Sequence, residues 1–522
     1  GLGMSMAQAA TGQAGPWGAR PAPTAAAPVP PPPPPVEKVW HIAKDGATSG
    51  PFSKAAMGRK VTEGSLGRDA LVWTPGQDGW QRAEDVAELQ RRIVLSNAAG
   101  TGPWLPDHVV RWILALKINA LATGFSGVRR ELIDALIVLF NSGLVSVVPS
   151  KGSVGASGDL APLAHLAATL IGEGEFRRNG KSEPAQAALD AAGIPPFRLA
   201  AKEGLAMING TQASTALAVD GIFQAESVFA AAVIAGVLSM EATLGQASAF
   251  DPRIQELRQQ LGQVDVAAVY RSLLDSSEIQ DQAKRNGRVQ DPYCLRCQPQ
   301  VMGSCLDFLR FSAEIINREI NGVTDNPLVD AETGDILYGG NFHAEPIGMA
   351  ADVVALPLCE IGAMSERRIA LLTDANHSKL PAFLAGTSGL DLGFMAAQVT
   401  AAVLASENKH LANPVSTDTI PTIGNHEDFV SMATHAARRL SEMTENAAAI
   451  VAVELLAACQ GLEFRRPAKS SKVLEEVVGG IREIAAPFTE DRYFAPDLEA
   501  VKRLIGKGWF IKFVPDEARL AQ

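Results

Sequence analysis

The sequence predicts a mainly α protein, a bundle of long helices preceded by a disordered Pro-rich tail and a small α+β module. Beyond residue 89, long segments repeat apolar residues at spacings of three and four, the pattern of helices with a buried face. Before that point, short apolar runs such as KVWHIAK and ALVW are bounded by Gly and Asp, as strands are. The first 35 residues hold almost no charge and end in six consecutive prolines, Pro30 to Pro35, a composition that cannot pack a core.

Taken in order, residues 1–35 should run as stiff polyproline II, a spacer or a docking peptide. Residues 36–88 make the α+β module, with SKAAMGRKV weakly helical between its strands. Residues 89–522 make the helical domain, whose clearest helices are DHVVRWILALKINALA, RRELIDALIVLFN, DFLRFSAEIINREI and VSMATHAARRLSEMTENAAAIVAVELLAACQG. The last would be about 50 Å long at 1.5 Å per residue. The longest apolar run, VFAAAVIAGVLSM at 228–240, is flanked by Glu226 and Glu241. It falls short of the roughly 20 residues that span a bilayer, so it reads as a helix buried in the bundle or against other subunits. Oligomerisation follows from such all-round apolar helices.

A chain of 522 residues with 47% hydrophobic content can bury a large core. Its net charge of -11, with the lysines and arginines scattered, argues against nucleic acid or an anionic membrane as the main partner. Five cysteines, Cys294, Cys297, Cys305, Cys359 and Cys459, form no disulfide framework and fit reduced thiols in the cytoplasm. The single CxxC, Cys294 to Cys297, lacks the second pair that a zinc site needs, so no metal is expected.

The stretch GSVGASGDLAPL at 152–163 carries the chemistry. It is not a phosphate loop, because no lysine follows the glycines, and it is not a dinucleotide fingerprint, because its surroundings are helical. Asp159 can cap the helix that follows, and Pro162 is tolerable only in that helix's first turn. The loop is therefore set at a helix N-terminus, where positive potential collects.

GSVGASGDLAPLAHLA, KEGLAMINGTQ, RVQDPYCLRCQPQVMG, GGNFHAEP, SERRIALL and ASENK, in that order, resemble the ammonia-lyases acting on histidine, phenylalanine and tyrosine. SERRIALL, ASENK and GNHEDFVSM are similar to the histidine branch. The resemblance runs from about Leu89 to about Arg503 and implies the ammonia-lyase bundle, a homotetramer whose active sites are assembled at subunit contacts. It also implies that Ala156, Ser157 and Gly158 cyclise to a 4-methylidene-imidazol-5-one. For that ring the Gly158 nitrogen must reach the Ala156 carbonyl carbon, an approach that glycine permits, and Ser157 then loses its hydroxyl to leave the alkene. Such an electrophile captures the amine and divides one hard elimination into easier steps.

The resemblance gives each further residue a role. Asn209 holds the ring by hydrogen bonding, with a helix-cap asparagine as the lesser alternative. Arg296 clamps the substrate carboxylate as a guanidinium can, or else sits in a structural ion pair. Tyr293, beside it, is catalytic, Gln290 lines the same pocket, and Phe342 is its apolar wall. Glu407 matches a glutamate placed near the imidazole or amine, although its sequence context alone is that of a solvated helix carboxylate. Separately, Trp40, the GPF at 50–52 and LVWTPGQDGW resemble a bacterial GYF-like domain. That resemblance implies a proline-rich peptide partner for residues 36–88, while a module whose tryptophans are simply core is the other reading. His41 and Ile42 stand where that family favours aromatics.

The chain departs from the lyase pattern twice. Asn97, after Ser96, stands where histidine-specific members carry a histidine that selects the imidazole. The family's N-terminal segment, with an acid/base tyrosine on a YGxxTGFG-type loop, has no counterpart, since the tyrosines are Tyr270, Tyr293, Tyr338 and Tyr493. The base is then Glu407 or a tyrosine loop of another chain. The function expected is elimination of ammonia from L-histidine to give urocanate. The alternatives are a phenylalanine or tyrosine lyase or aminomutase, or an inactive scaffold recruiting proline-rich partners.

Overall fold

The structure is a computed structural model, and it describes residues 38–520 apart from 45, 54–55, 58–59, 61–65, 67–69, 76–78, 83–86, 179, 286–287 and 388. The Pro-rich tail expected over 1–35 lies outside the described residues. Two compact units are present, Gly1–Arg82 and Ala83–Gln522.

In the first unit, strands Ala47–Ser53, Lys38–Lys44, Leu71–Trp73 and Gln81–Arg82 lie side by side in that order, all neighbours antiparallel. Strand alternation sorts the side chains. Trp40, Ile42 and Val72 are buried, whereas the paired His41 and Trp73 rings lie tilted at 48° with centroids 5.8 Å apart and Trp80 is exposed. Trp40 is thus a core residue, and Trp73 and Trp80 are not.

In the second unit, four long helices carry the core: Gln212–Ala242, Gln298–Ile320, Glu345–Thr373 and Ala433–Glu463. The apolar run at 228–240 lies inside the first of these, which is buried on nearly every side. Gly221 packs on Leu440, Ser239 bonds Glu454 and Gly461 abuts Ala242, so the helices 212–242 and 433–463 run parallel along their length. The helices are longer than the apolar runs that announce them. Segments 203–242, 345–373 and 433–463 are long and apolar enough to cross a membrane, yet 83%, 67% and 89% of their most apolar windows are buried inside the protein. Asp107–Ala122 and Arg130–Ser142 form the helices their periodicity predicts. The five cysteines are free.

A buried ion pair ties two of the long helices. The Arg368 guanidinium donates from Nε and Nη2 to Glu454 at 2.5 and 2.9 Å, both residues are fully buried, and Ser239 adds a third bond to the same carboxylate at 2.6 Å. Removing one partner of such a pair strands a charge without water. Arg368→Met is expected to lower stability by about 3–5 kcal/mol, to be measured by urea denaturation.

Candidate active site

The loop begins where strand Pro149–Lys151, paired with Thr101–Trp104, gives out, and ends in the helix Leu160–Leu170. Its glycines are required by position. Gly155 and Gly158 have φ of 66° and 85°, in the left-handed region. A Cβ on Gly155 would stand 2.3 Å from Ser431 Oγ, and one on Gly158 would stand 2.2 Å from the Gly210 nitrogen. At both positions a side chain would push the loop off its bed.

Asp159 does not cap the helix that follows it. It is fully buried, and its carboxylate accepts from Ser153 Oγ (2.8 Å), Thr434 Oγ1 (2.7 Å), and the N–H and Oγ of Ser214 (2.7 and 2.8 Å). Ser214 is in the first turn of the helix 212–242, so Asp159 serves a different helix from the one expected and fastens the loop to the first turns of two long helices. Its anionic group meets the positive end of the 212–242 dipole. Pro162 does fall in the first turn of its own helix.

Three further segments close on the loop. Ala344 N–H and Ser431 Oγ donate to the Gly155 carbonyl at 3.1 and 2.9 Å, and Met432 N–H donates to Val154 at 2.9 Å. The Ser157 N–H donates to Glu427 Oε1 at 3.1 Å, while Thr422 Oγ1 holds Oε2 at 2.6 Å. Behind Gly158, the Gly210 carbonyl accepts from Asp159 N–H at 2.7 Å. Asn209 is buried, and among the described residues its Oδ1 has no hydrogen-bond partner. The chain thus gathers Ala156, Ser157, Gly158 and Asn209, and Phe342 lies two residues before Ala344, whose N–H holds the loop. Asn97 ends a helix near the base of the loop: a Cβ on Gly152 would meet the Gly100 Cα at 3.0 Å. The Asn97 amide itself donates to Ile93 O at 2.8 Å.

Other expected residues lie elsewhere in the same chain. Tyr293 and Arg296 form a short helix, with the guanidinium over the phenol ring at 4.6 Å, and Tyr293 and Gln290 are exposed. The adjoining Gln298 bonds the Gly236 carbonyl. From Ser214 to Gly236 the helix rises about 33 Å at 1.5 Å per residue, so this group sits at the far end from the loop. Glu407 is exposed on the helix Met395–Leu411 and accepts from Asn446 at 3.3 Å. From Thr434 to Asn446 is about 18 Å by the same rise.

Residues 76–483 match the family described as Aromatic amino acid lyase, and residues 40–89 match GYF domain 2. A histidine ammonia-lyase of Rhodospirillum rubrum is 57% identical over 433 residues, 83% of this chain and 84% of that protein. The chain belongs to the aromatic amino acid lyases. The histidine ammonia-lyase structure of Trypanosoma cruzi superposes on this lyase with a TM-score of 0.78 at 36% identity, covering 90% of this chain and 89% of that one. The tyrosine aminomutase of Streptomyces globisporus gives 0.79 at 33% identity, covering 88% and 92%.

Glu427 is the partner of the loop that sequence reasoning missed. GNHEDFVSM served only as a branch marker, although it sets a carboxylate four residues before Ser431. Of the tyrosines in this lyase, Tyr270 is fully buried and burial drives its phenol pKa upward, away from any acid/base role. Tyr293, Tyr338 and Tyr493 are exposed.

Proposed function

We propose that this chain is a histidine ammonia-lyase, eliminating ammonia from L-histidine to give urocanate. The observation that carries this reading is the loop at 152–159, with its two left-handed glycines and the Gly158 to Gly210 backbone packing. The residues fit the cyclised group, since Gly158, lacking a Cβ, can lie directly against the Gly210 backbone and the buried Asn209 Oδ1 faces no other partner among the described residues. Once formed from Ala156, Ser157 and Gly158, the methylidene-imidazolone supplies an electrophile for the substrate amine.

The chain's own residues do the rest. Asp159, Ser431 and Ala344 hold the loop, Glu427 fixes the Ser157 N–H and offers a carboxylate beside it, and Phe342 supplies an apolar wall. Asn209 bonds the ring. Arg296 binds the substrate carboxylate, Gln290 lines the same pocket, Tyr293 is catalytic, and Glu407 lies by the imidazole or amine. Since the chain separates these two groups by the length of a helix, the site is completed between copies, which supports a homotetramer. Asn97 favours a second reading, in which a different aromatic amino acid is the substrate, because it replaces the side chain that would select imidazole.

We also assign residues 1–35, 36–88 and 89–522 to a tail, a GYF-like domain and the lyase domain. The GYF-like domain takes a proline-rich peptide, supported by the match at 40–89 and by the outward Trp73 and Trp80. Five free thiols favour the cytoplasm.

The deciding experiment incubates the purified protein separately with histidine, phenylalanine and tyrosine and follows the conjugated acrylate product by absorbance. Urocanate alone is the expected product. Cinnamate or coumarate in its place would move the assignment to the second reading.

A further inference from the structure

Lys117 is a buried lysine that no part of the proposed chemistry uses. It lies in the helix Asp107–Ala122, is 1% exposed, and donates from Nζ to the carbonyl oxygens of Ala206 (3.1 Å) and Asn209 (2.6 Å). Those carbonyls close the six-residue helix Glu203–Ile208, whose C-cap is Asn209. Burial is the main force on its pKa, lowering it to about 7. Both protonation states keep N–H donors for the two carbonyls.

The Asn209 carbonyl is one half of the peptide whose other half is the Gly210 N–H. A trans peptide is planar, with C=O and N–H pointing opposite ways. Holding the carbonyl on Lys117 therefore aims the Gly210 N–H away from it. The Gly210 nitrogen lies 2.2 Å from where a Gly158 Cβ would stand. The next carbonyl, that of Gly210, takes the Asp159 N–H. Gly158 thus rests on two successive peptides, Asn209–Gly210 and Gly210–Thr211, of which the first is anchored from behind by Lys117.

We propose that Lys117 is a positioning residue for the Asn209–Gly210 link: its N–H groups fix that peptide against the 156–158 loop, setting the Asn209 side chain and the Gly210 N–H for the ring. This rests on the lyase reading for its purpose but not for its geometry, and the test separates the two.

In a Ser157→Ala background, where the electrophilic alkene cannot form, peptide-resolved hydrogen exchange reads the link directly. Adding Lys117→Met is expected to raise exchange over 203–214 by about tenfold or more, the equivalent of losing hydrogen bonds to a charged donor, with the helix 433–463 unchanged. With Ser157 present, folded Lys117→Met protein should lose about tenfold in kcat with KM within about threefold. A smaller cyclised fraction should accompany this by intact mass. A role in stability alone would lower the melting temperature and leave the kcat of the folded fraction intact. Lys117→Gln is shorter by one bond and able to hold one of the two carbonyls, so it should give a smaller loss in the same direction. It carries the test if the methionine variant does not accumulate. Parental exchange over 203–214 in either folded variant overturns the proposal, whatever the activity of the enzyme.

Discussion

Ser157→Ala is expected to reduce ammonia release from histidine to the uncatalysed background, a fall of about 10⁶-fold or more by the usual scale of enzymatic acceleration. Closure of the Gly158 nitrogen on the Ala156 carbonyl expels one water, and the Ser157 hydroxyl leaves as the second to make the alkene; alanine has no hydroxyl to lose, so the alkene that accepts the amine cannot form. The fold should survive the change. The bond that anchors Ser157 here comes from its backbone N–H to Glu427, which alanine keeps, and the positive φ values belong to the glycines on either side. Stability should therefore shift by no more than about 1 kcal/mol, as for a substitution that removes neither a cavity-filling group nor a cap. Intact mass provides the second readout: wild-type protein should be lighter than its translated sequence by two waters, and the variant should not. A folded Ser157→Ala enzyme that turns over histidine within tenfold of wild type would remove the ring from the mechanism.

What could be read from the sequence divides along a physical line. The helices were legible because burial imposes a spacing on the chain, and Asp107–Ala122 starts and stops where its apolar pattern does. The loop was legible for a related reason: glycine is used where a Cβ is forbidden, and Gly155 and Gly158 both carry that prohibition. Partners brought in from far along the chain leave no spacing to read. Asp159 looked like the cap of its own helix because capping is a local habit, whereas its four donors come from Ser153, Ser214 and Thr434. Glu427 reaches Ser157 across 270 residues, and only the fold brings the two together. Motifs tie Arg296 and Ser157 to one reaction, and nothing in their order tells that a single copy keeps them at opposite ends of a helix. In the first unit the tryptophans divided between core and surface by strand parity, which the Trp40 and Trp73 positions express once the strand register is known.

That separation leads to the second large effect, which is a gain. Arg296→Ala and Ser157→Ala proteins should each be inactive, and mixing them by unfolding and refolding together, or by co-expression, should restore turnover. The reason is geometric. Gln298 joins the Leu295 carbonyl of the arginine's helix to the Gly236 carbonyl, about 33 Å from the Ser214 turn that Asp159 binds, and a substrate amino acid spans only a fraction of that distance. A site using both must take the loop from one copy and the arginine from another. In an equal random mixture, about one quarter of such two-source sites draw an intact loop and an intact arginine together, so activity should return to about a quarter of wild type. If each site were built within one chain, no mixed oligomer could hold a complete site, and the mixture would stay as inactive as its parts. The outcome thus decides between a site closed within the chain and one closed between copies. It does so without knowledge of the base, because neither substitution touches Glu407, Glu427 or any tyrosine.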